Sequence, residues 1–144
     1  MSDHDEIMNA LGRYARGVDE RDFASVAALF TSDADIDYSV GGGAVLKAGE
    51  LAAWLGRAMT IFRMTQHHLG LPVIDVDGDT ATCVSYLAVV MEHEDVPVMR
   101  VFGRYRDRLV RGDDGRWRFR EGIAEIESMR AGLPPFVDGR PGQA

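Results

Sequence analysis

The chain is poor in cysteine, with one in 144 residues, poor in aromatic side chains at 8%, and short of basic charge, with 16 Lys and Arg against 23 Asp and Glu. One cysteine closes no internal disulfide and makes no zinc cluster, so a reducing cytoplasm is the expected compartment. Cys83, inside Ala81-Thr82-Cys83-Val84-Ser85-Tyr86-Leu87, is expected to be a small core residue. A net charge of −7 disfavours a phosphate-neutralising surface, and no nucleic-acid partner is expected. There is no apolar run of roughly 18 residues. Met1 to Glu6 is acidic where a signal peptide is basic and then apolar, so neither a leader nor a membrane partner is expected.

What the chain has is enough length for one packed domain, expected over 1–131, followed by an irregular tail over 132–144 carrying Gly132, Pro134, Pro135 and Pro141. Ile7, Leu11, Tyr14, Ala15 and Val18 share one helical face, preceded by the cap-type residues Ser2, Asp3 and Asp5. Phe23, Val26, Ala27, Leu29 and Phe30 predict a second helix ending before Thr31-Ser32-Asp33. Alternation over Ala34–Val40 predicts a strand, stopped by Gly41-Gly42-Gly43 and followed by a short return strand over Ala44–Leu46. A third helix fits Gly49–Phe62, with Leu51, Trp54, Leu55, Met59 and Phe62 as its stripe.

From Thr65 the pattern becomes a meander over 65–76, 79–92, 97–110 and 116–128, with Asp77-Gly78 and Asp113-Asp114-Gly115 as turns. A two-residue Asp77-Gly78 turn pairs Val76 with Asp79. That register sets Ala88 opposite His67 and Tyr86 opposite Leu69, with His68 on the other face. Three amphipathic helices need a sheet face to cover, so the fold class is α+β.

The order of these elements resembles the SnoaL-like branch of the nuclear-transport-factor-2-like superfamily. The resemblance spans residues 5–128. It is carried by Tyr14-Ala15-Arg16-Gly17-Val18-Asp19-Glu20-Arg21-Asp22-Phe23, Ala28-Leu29-Phe30-Thr31-Ser32-Asp33-Ala34, Thr65-Gln66-His67-His68, Gly103-Arg104-Tyr105 and Gly115-Arg116-Trp117-Arg118-Phe119. It implies a cone in which three N-terminal helices pack on a strongly curved, mixed, mainly antiparallel sheet and enclose an apolar pocket.

The resemblance also implies a site. Asp19 and His67 match the dyad of dehydrochlorinase and dehydratase relatives, and Tyr14 falls where those dehydratases carry a pocket tyrosine. A carboxylate that holds one imidazole nitrogen leaves the other as a base. Tyr14 would then hold a carbonyl oxygen or protonate a leaving hydroxyl. Trp54, Leu71, Tyr86 and Tyr38 are the expected substrate contacts, and no metal or cofactor is required. The expected activity is a dehydratase-type lyase acting on a small apolar cyclic or polyketide-like molecule, in a homodimer or higher homo-oligomer.

Other readings compete with this one. Leu71 and Val90 stand where relatives place further polar groups, which leaves the particular reaction open. An isomerase needs an early-strand base, for which Asp35 or Asp37 could serve, and a deep second acid that the sequence does not reveal. Glu92-His93-Glu94-Asp95 reads as a solvated connection and not a metal site. The Arg100 to Arg111 run reads as exposed strand charge. A non-catalytic ligand-binding or dimerisation module on the same fold would show a filled cone, or Asp19 pointing outward.

Overall fold

A computed structural model describes residues 1–39, 43–95 and 98–131. The expected tail at 132–144 and most of the glycine turn at 41–43 lie outside the described residues. Helix α1 (Asp3–Asp19) starts in a capping box: the Ser2 hydroxyl accepts from the Asp5 amide at 3.2 Å, and the Asp5 carboxylate accepts from the Ser2 amide at 3.0 Å. Such a cap stabilises a helix by about 1 kcal/mol. The face that α1 buries is the predicted one, including Ile7, Leu11, Tyr14 and Val18. Each large aliphatic side chain removed from water there contributes about 1.5–3 kcal/mol.

Helix α2 (Phe23–Ala27) is capped by the Asp22 side chain and stops short of the predicted end. Phe30 instead opens strand β1 (Phe30–Asp37), because a strand places its ring 5.2 Å from Phe119 and 6.3 Å from Tyr14. Aromatic packing there overrides the local helical pattern. Strand β2 (Val45–Lys47) returns beside β1 and leads into α3 (Ala48–Ala58). The predicted third helix runs to Phe62, but the chain leaves it after Ala58 in turns that include Phe62 N–H to Met59 C=O at 3.1 Å.

The remaining strands are β3 (Met64–Leu69), β4 (Val73–Asp77), β5 (Thr80–Glu92), β6 (Met99–Arg111) and β7 (Trp117–Ala131). The sheet order is β2-β1-β7-β6-β5-β3, with β4 also pairing β5. Among the described residues only β1 and β7 run parallel, so the sheet is mixed and mainly antiparallel, as expected. Register shifts at Phe102/Gly103 and Arg108/Leu109 bend the long β6–β7 pair. A Cβ at Gly103 would overlap the Glu125 carbonyl, so this bend requires glycine.

The predicted single strand over 65–76 is two strands, broken at Gly70-Leu71-Pro72. The turn is Gly78-Asp79 and not Asp77-Gly78: Asp77 pairs with Thr80, and Gly78 takes φ +59°, the left-handed region that suits glycine. The break then shifts β3 by one residue relative to β4. His67 therefore pairs with Val89, and His68 with Ala88. This corrects the predicted register while keeping His67 and His68 on opposite faces.

Along β5, Ala81, Cys83, Ser85, Leu87, Val89 and Met91 point inward, and Cys83 is a core residue as expected. The outer face carries the arginines of β6: Arg104 pairs with Glu127 at 2.6 Å and Arg106 with Glu125 at 2.7 Å. No helix among the described residues is long and apolar enough to cross a membrane.

Candidate active site

Asp19 is the last residue of α1 and His67 lies in the middle of β3, two elements that pack together. The Asp19 carboxylate accepts three bonds. His67 Nδ1 is 2.6 Å from Oδ1, the His67 backbone amide donates to Oδ2 at 2.8 Å, and the Thr65 hydroxyl donates to Oδ1 at 3.0 Å. Burial pushes the Asp19 carboxyl up, but these bonds outweigh it and hold it below the usual carboxylate range. An ionised Asp19 makes Nδ1 the protonated nitrogen of a neutral imidazole, which leaves Nε2 with its lone pair.

Arg21 locks this corner. Its guanidinium donates to the Val18 carbonyl at 3.0 Å, the Phe62 carbonyl at 3.2 Å and the Thr65 hydroxyl at 2.8 Å. Thr65 is buried, and its hydroxyl accepts from Arg21 while donating a hydrogen bond to Asp19. To reach these groups, Arg21 holds φ at +64°, a left-handed conformation that costs about 1–2 kcal/mol outside glycine.

His67 lies on the wall of a cavity of about 390 Å³ between the helices and the inner sheet face. Tyr14, Tyr38, Trp54, Phe62 and Tyr105 share that wall, with aliphatic and Met side chains between them. Lys, Arg, Asp and Glu are absent from the wall among the described residues, and one imidazole with three phenols is a poor donor set for a metal ion. The Tyr14 and Tyr38 hydroxyls are 2.6 Å apart. Burial pushes the Tyr14 phenol up to about 12 and that of Tyr38 well above the usual phenol range. Both remain neutral donors at any physiological pH.

Of the seven predicted site residues, Asp19, His67, Tyr14, Tyr38 and Trp54 meet at this cavity or directly behind it. Tyr86 and Leu71 do not. The one-residue register shift turns Tyr86 to the outer face, where it is 67% exposed and sits 5.8 Å under the Arg104 guanidinium. Leu71 falls in the β3–β4 break, 88% exposed, on an open groove of about 730 Å³ along the outside of α1. Asp19 and His67 also border that larger groove, whose rim carries exposed side chains such as Arg16 and Glu20; the apolar cavity is the space that His67 shares with Tyr14, Tyr38 and Trp54.

Asp35 and Asp37, the possible early-strand bases, are occupied elsewhere: Asp35 pairs with Lys47, and Asp37 binds the Ser39 amide at 2.9 Å. The deep acid the sequence reading did not find is Asp107, 9% exposed on the inner face of β6 two residues from Tyr105. The alternation Val101, Gly103, Tyr105, Asp107, Leu109 could have revealed it, because it puts Asp107 on the apolar face, opposite the arginines.

Comparison with known proteins agrees with this architecture. The chain is 33% identical over 122 residues to an uncharacterized protein of Mycobacterium tuberculosis H37Rv, covering 82% of this chain and 81% of that protein. A candidate scytalone dehydratase of Novosphingobium aromaticivorans superposes with a TM-score of 0.78 at 25% identity, over 95% of this chain and 99% of that one. A hexachlorocyclohexane dehydrochlorinase of Novosphingobium barchaimii shares the fold, with a TM-score of 0.76 at 18% identity over 90% and 92% of the two chains. The SnoaL-like domain family matches residues 1–122, and the chain belongs to that family, with the nuclear-transport-factor-2-like fold.

Proposed function

We propose that this protein is a cofactor-independent lyase that eliminates water, or a comparable leaving group, from a small, neutral, largely apolar cyclic or polyketide-like molecule. The observation that carries this reading is the 2.6 Å contact between Asp19 and His67 with the imidazole on the wall of an apolar cavity. The cavity volume of about 390 Å³ suits a molecule of one to three rings, and the uncharged wall disfavours an ionic substrate. An open cavity with Asp19 hydrogen-bonded to the His67 ring favours an enzyme over a non-catalytic module. The dehydratase and dehydrochlorinase among its structural neighbours point to the same reaction class.

His67 Nε2 takes a proton from the carbon beside a carbonyl, and the C–H electron pair becomes an enolate double bond. Asp19 stabilises the imidazolium, and the Tyr14–Tyr38 pair donates to the enolate oxygen. The enolate then re-forms the carbonyl, the β-hydroxyl leaves with its bonding electrons, and the imidazolium proton converts it to water. The net products are a conjugated enone and one water.

The test is a panel of neutral cyclic β-hydroxy ketones in deuterated buffer, followed by enone absorbance and by deuterium entry beside the carbonyl. Acceleration that is lost in His67→Ala supports the reading. No acceleration across the panel, or acceleration that survives His67→Ala, overturns it. Isomerisation is the second reading, favoured by Asp107 supplying the deep acid; it would exchange deuterium without releasing water.

A further inference from the structure

We propose that Asp107 is the positioning residue of the tyrosine donors: its carboxyl group holds one buried water against Tyr105 and Tyr14, and this bridge sets the direction in which the Tyr14–Tyr38 pair donates into the cavity. The role assigned to those tyrosines rests on the function proposed above.

Beneath the substrate cavity lies a separate space of about 20 Å³, bordered by Tyr14, Tyr38, Tyr105 and Asp107 and otherwise by apolar side chains and Gly122. About 10–15 Å³ of such volume accommodates one water when two to four polar groups converge on it. The strand partners of Asp107 are small, Cys83 on β5 and Gly122 on β7, and Gly122, which has no side chain, borders the space. Asp107 is 9% exposed, and burial alone acts on its carboxyl, with no hydrogen bond to offset it. Among the described residues Ser85 Oγ, one residue pair further along the same inner face, is buried without a protein partner. Buried polar groups are rarely left so.

The groups facing Asp107 determine its state. The titratable ones are Tyr14 from α1, Tyr38 just beyond β1, Cys83 from β5 and Tyr105 from β6, while β7 brings Phe119 and Gly122. None is a cation, and burial pushes the Asp107 carboxyl up to about 8. At neutral pH it therefore keeps its proton and acts as a donor.

Direction follows from connectivity. A hydroxyl that accepts from below is left with its own proton to donate upward. The protonated carboxyl donates to the water, the water to a tyrosine oxygen, and the tyrosine proton points toward Tyr38 or a substrate oxygen. Once ionised, Asp107 can only accept, which draws the same protons inward and removes the donors from the cavity.

The experiment needs no substrate. The full chain, labelled with 13C at tyrosine Cζ and aspartate Cγ, is titrated from roughly pH 6 to 9.5 by NMR, a range below the ordinary phenol pKa. The expected result is a shared step in Tyr14 and Tyr105 at the midpoint of the Asp107 Cγ step, absent in Asp107→Asn, with one water in the crystal structure within hydrogen-bond distance of Asp107. Tyrosines that stay flat while Asp107 titrates, a step that persists in Asp107→Asn, or a crystal structure with no water there would overturn the inference. The coincidence of the Cγ and Cζ steps in the unsubstituted protein decides the matter even if Asp107→Asn fails to fold. The assignment of His67 as base is judged separately, by turnover of His67→Ala.

Discussion

The Asp19 carboxylate grips His67 twice, through ring Nδ1 at 2.6 Å and through the backbone amide at 2.8 Å, so one acid fixes both the tautomer and the position of the base. A helix end and a strand 48 positions apart thereby become one rigid unit.

This double grip predicts an asymmetry between the two partners. His67→Ala should lower kcat by about 10²–10⁴, the usual contribution of a positioned base, with a melting temperature close to that of the unsubstituted protein. Asp19→Asn should cost comparable activity and also about 1–3 kcal/mol of stability, because it weakens three hydrogen bonds to a charged acceptor. Steady-state kinetics with thermal melts separates the two effects, and activity retained in either variant would exclude the dyad.

Tyr14→Phe removes one member of a pair of buried hydroxyls 2.6 Å apart. If Tyr14 donates to developing negative charge, kcat should fall by about 10²–10³ while KM changes little. An unchanged kcat would reduce Tyr14 to a packing residue.

Arg21 combines a left-handed backbone with a side-chain clamp on Thr65, and substitution can separate the two. Arg21→Ala loses the clamp and keeps the strain. Arg21→Gly loses the clamp and relieves the strain, so it should be about 1 kcal/mol more stable than the alanine variant in urea unfolding. Equal stabilities would mean that the strain is not stored there.

Two carboxyls act on stability at opposite ends of the pH scale. The Asp107 carboxyl is raised from 3.8 to about 8, so its contribution is fully present below pH 3.8 and is lost as pH rises through 8. Asp107→Asn should flatten that decline and exceed the unsubstituted protein in stability at pH 8. Asp19 is depressed, so its contribution is present above pH 3.8 and is lost on acidification. Urea midpoints measured across pH 3 to 9 would check both signs.

Tyr86 lies on the outer face, away from the cavity. Tyr86→Ala should leave kcat and KM within about twofold, since exposed substitutions away from special contacts change free energies by roughly 0.5 kcal/mol or less. A large rise in KM would restore Tyr86 as a substrate contact.

The sequence by itself determined the fold class, the inward face of α1, the pairing of three long strands and the identity of the dyad candidates. The first three rest on periodicity and on the order of elements, which are local and cumulative; the dyad candidates rest on the resemblance of the motifs that carry Asp19 and His67 to the SnoaL-like family. It also separated His67 from His68, because adjacent strand residues face opposite ways whatever the register.

Only the tertiary structure decided what depends on a single residue of offset or on groups far apart in the chain. The turn at Gly78-Asp79 and the break at Gly70-Leu71-Pro72 together moved His67 opposite Val89 and sent Tyr86 and Leu71 out of the pocket. Phe30 left its helical pattern because Phe119, from the last strand, was there to pack against. Asp107 became a buried acid because Tyr14, Tyr38 and Tyr105 close over it from three separate elements and no cation comes with them. A strand pattern records which way a side chain faces; what meets it there is decided by the rest of the chain.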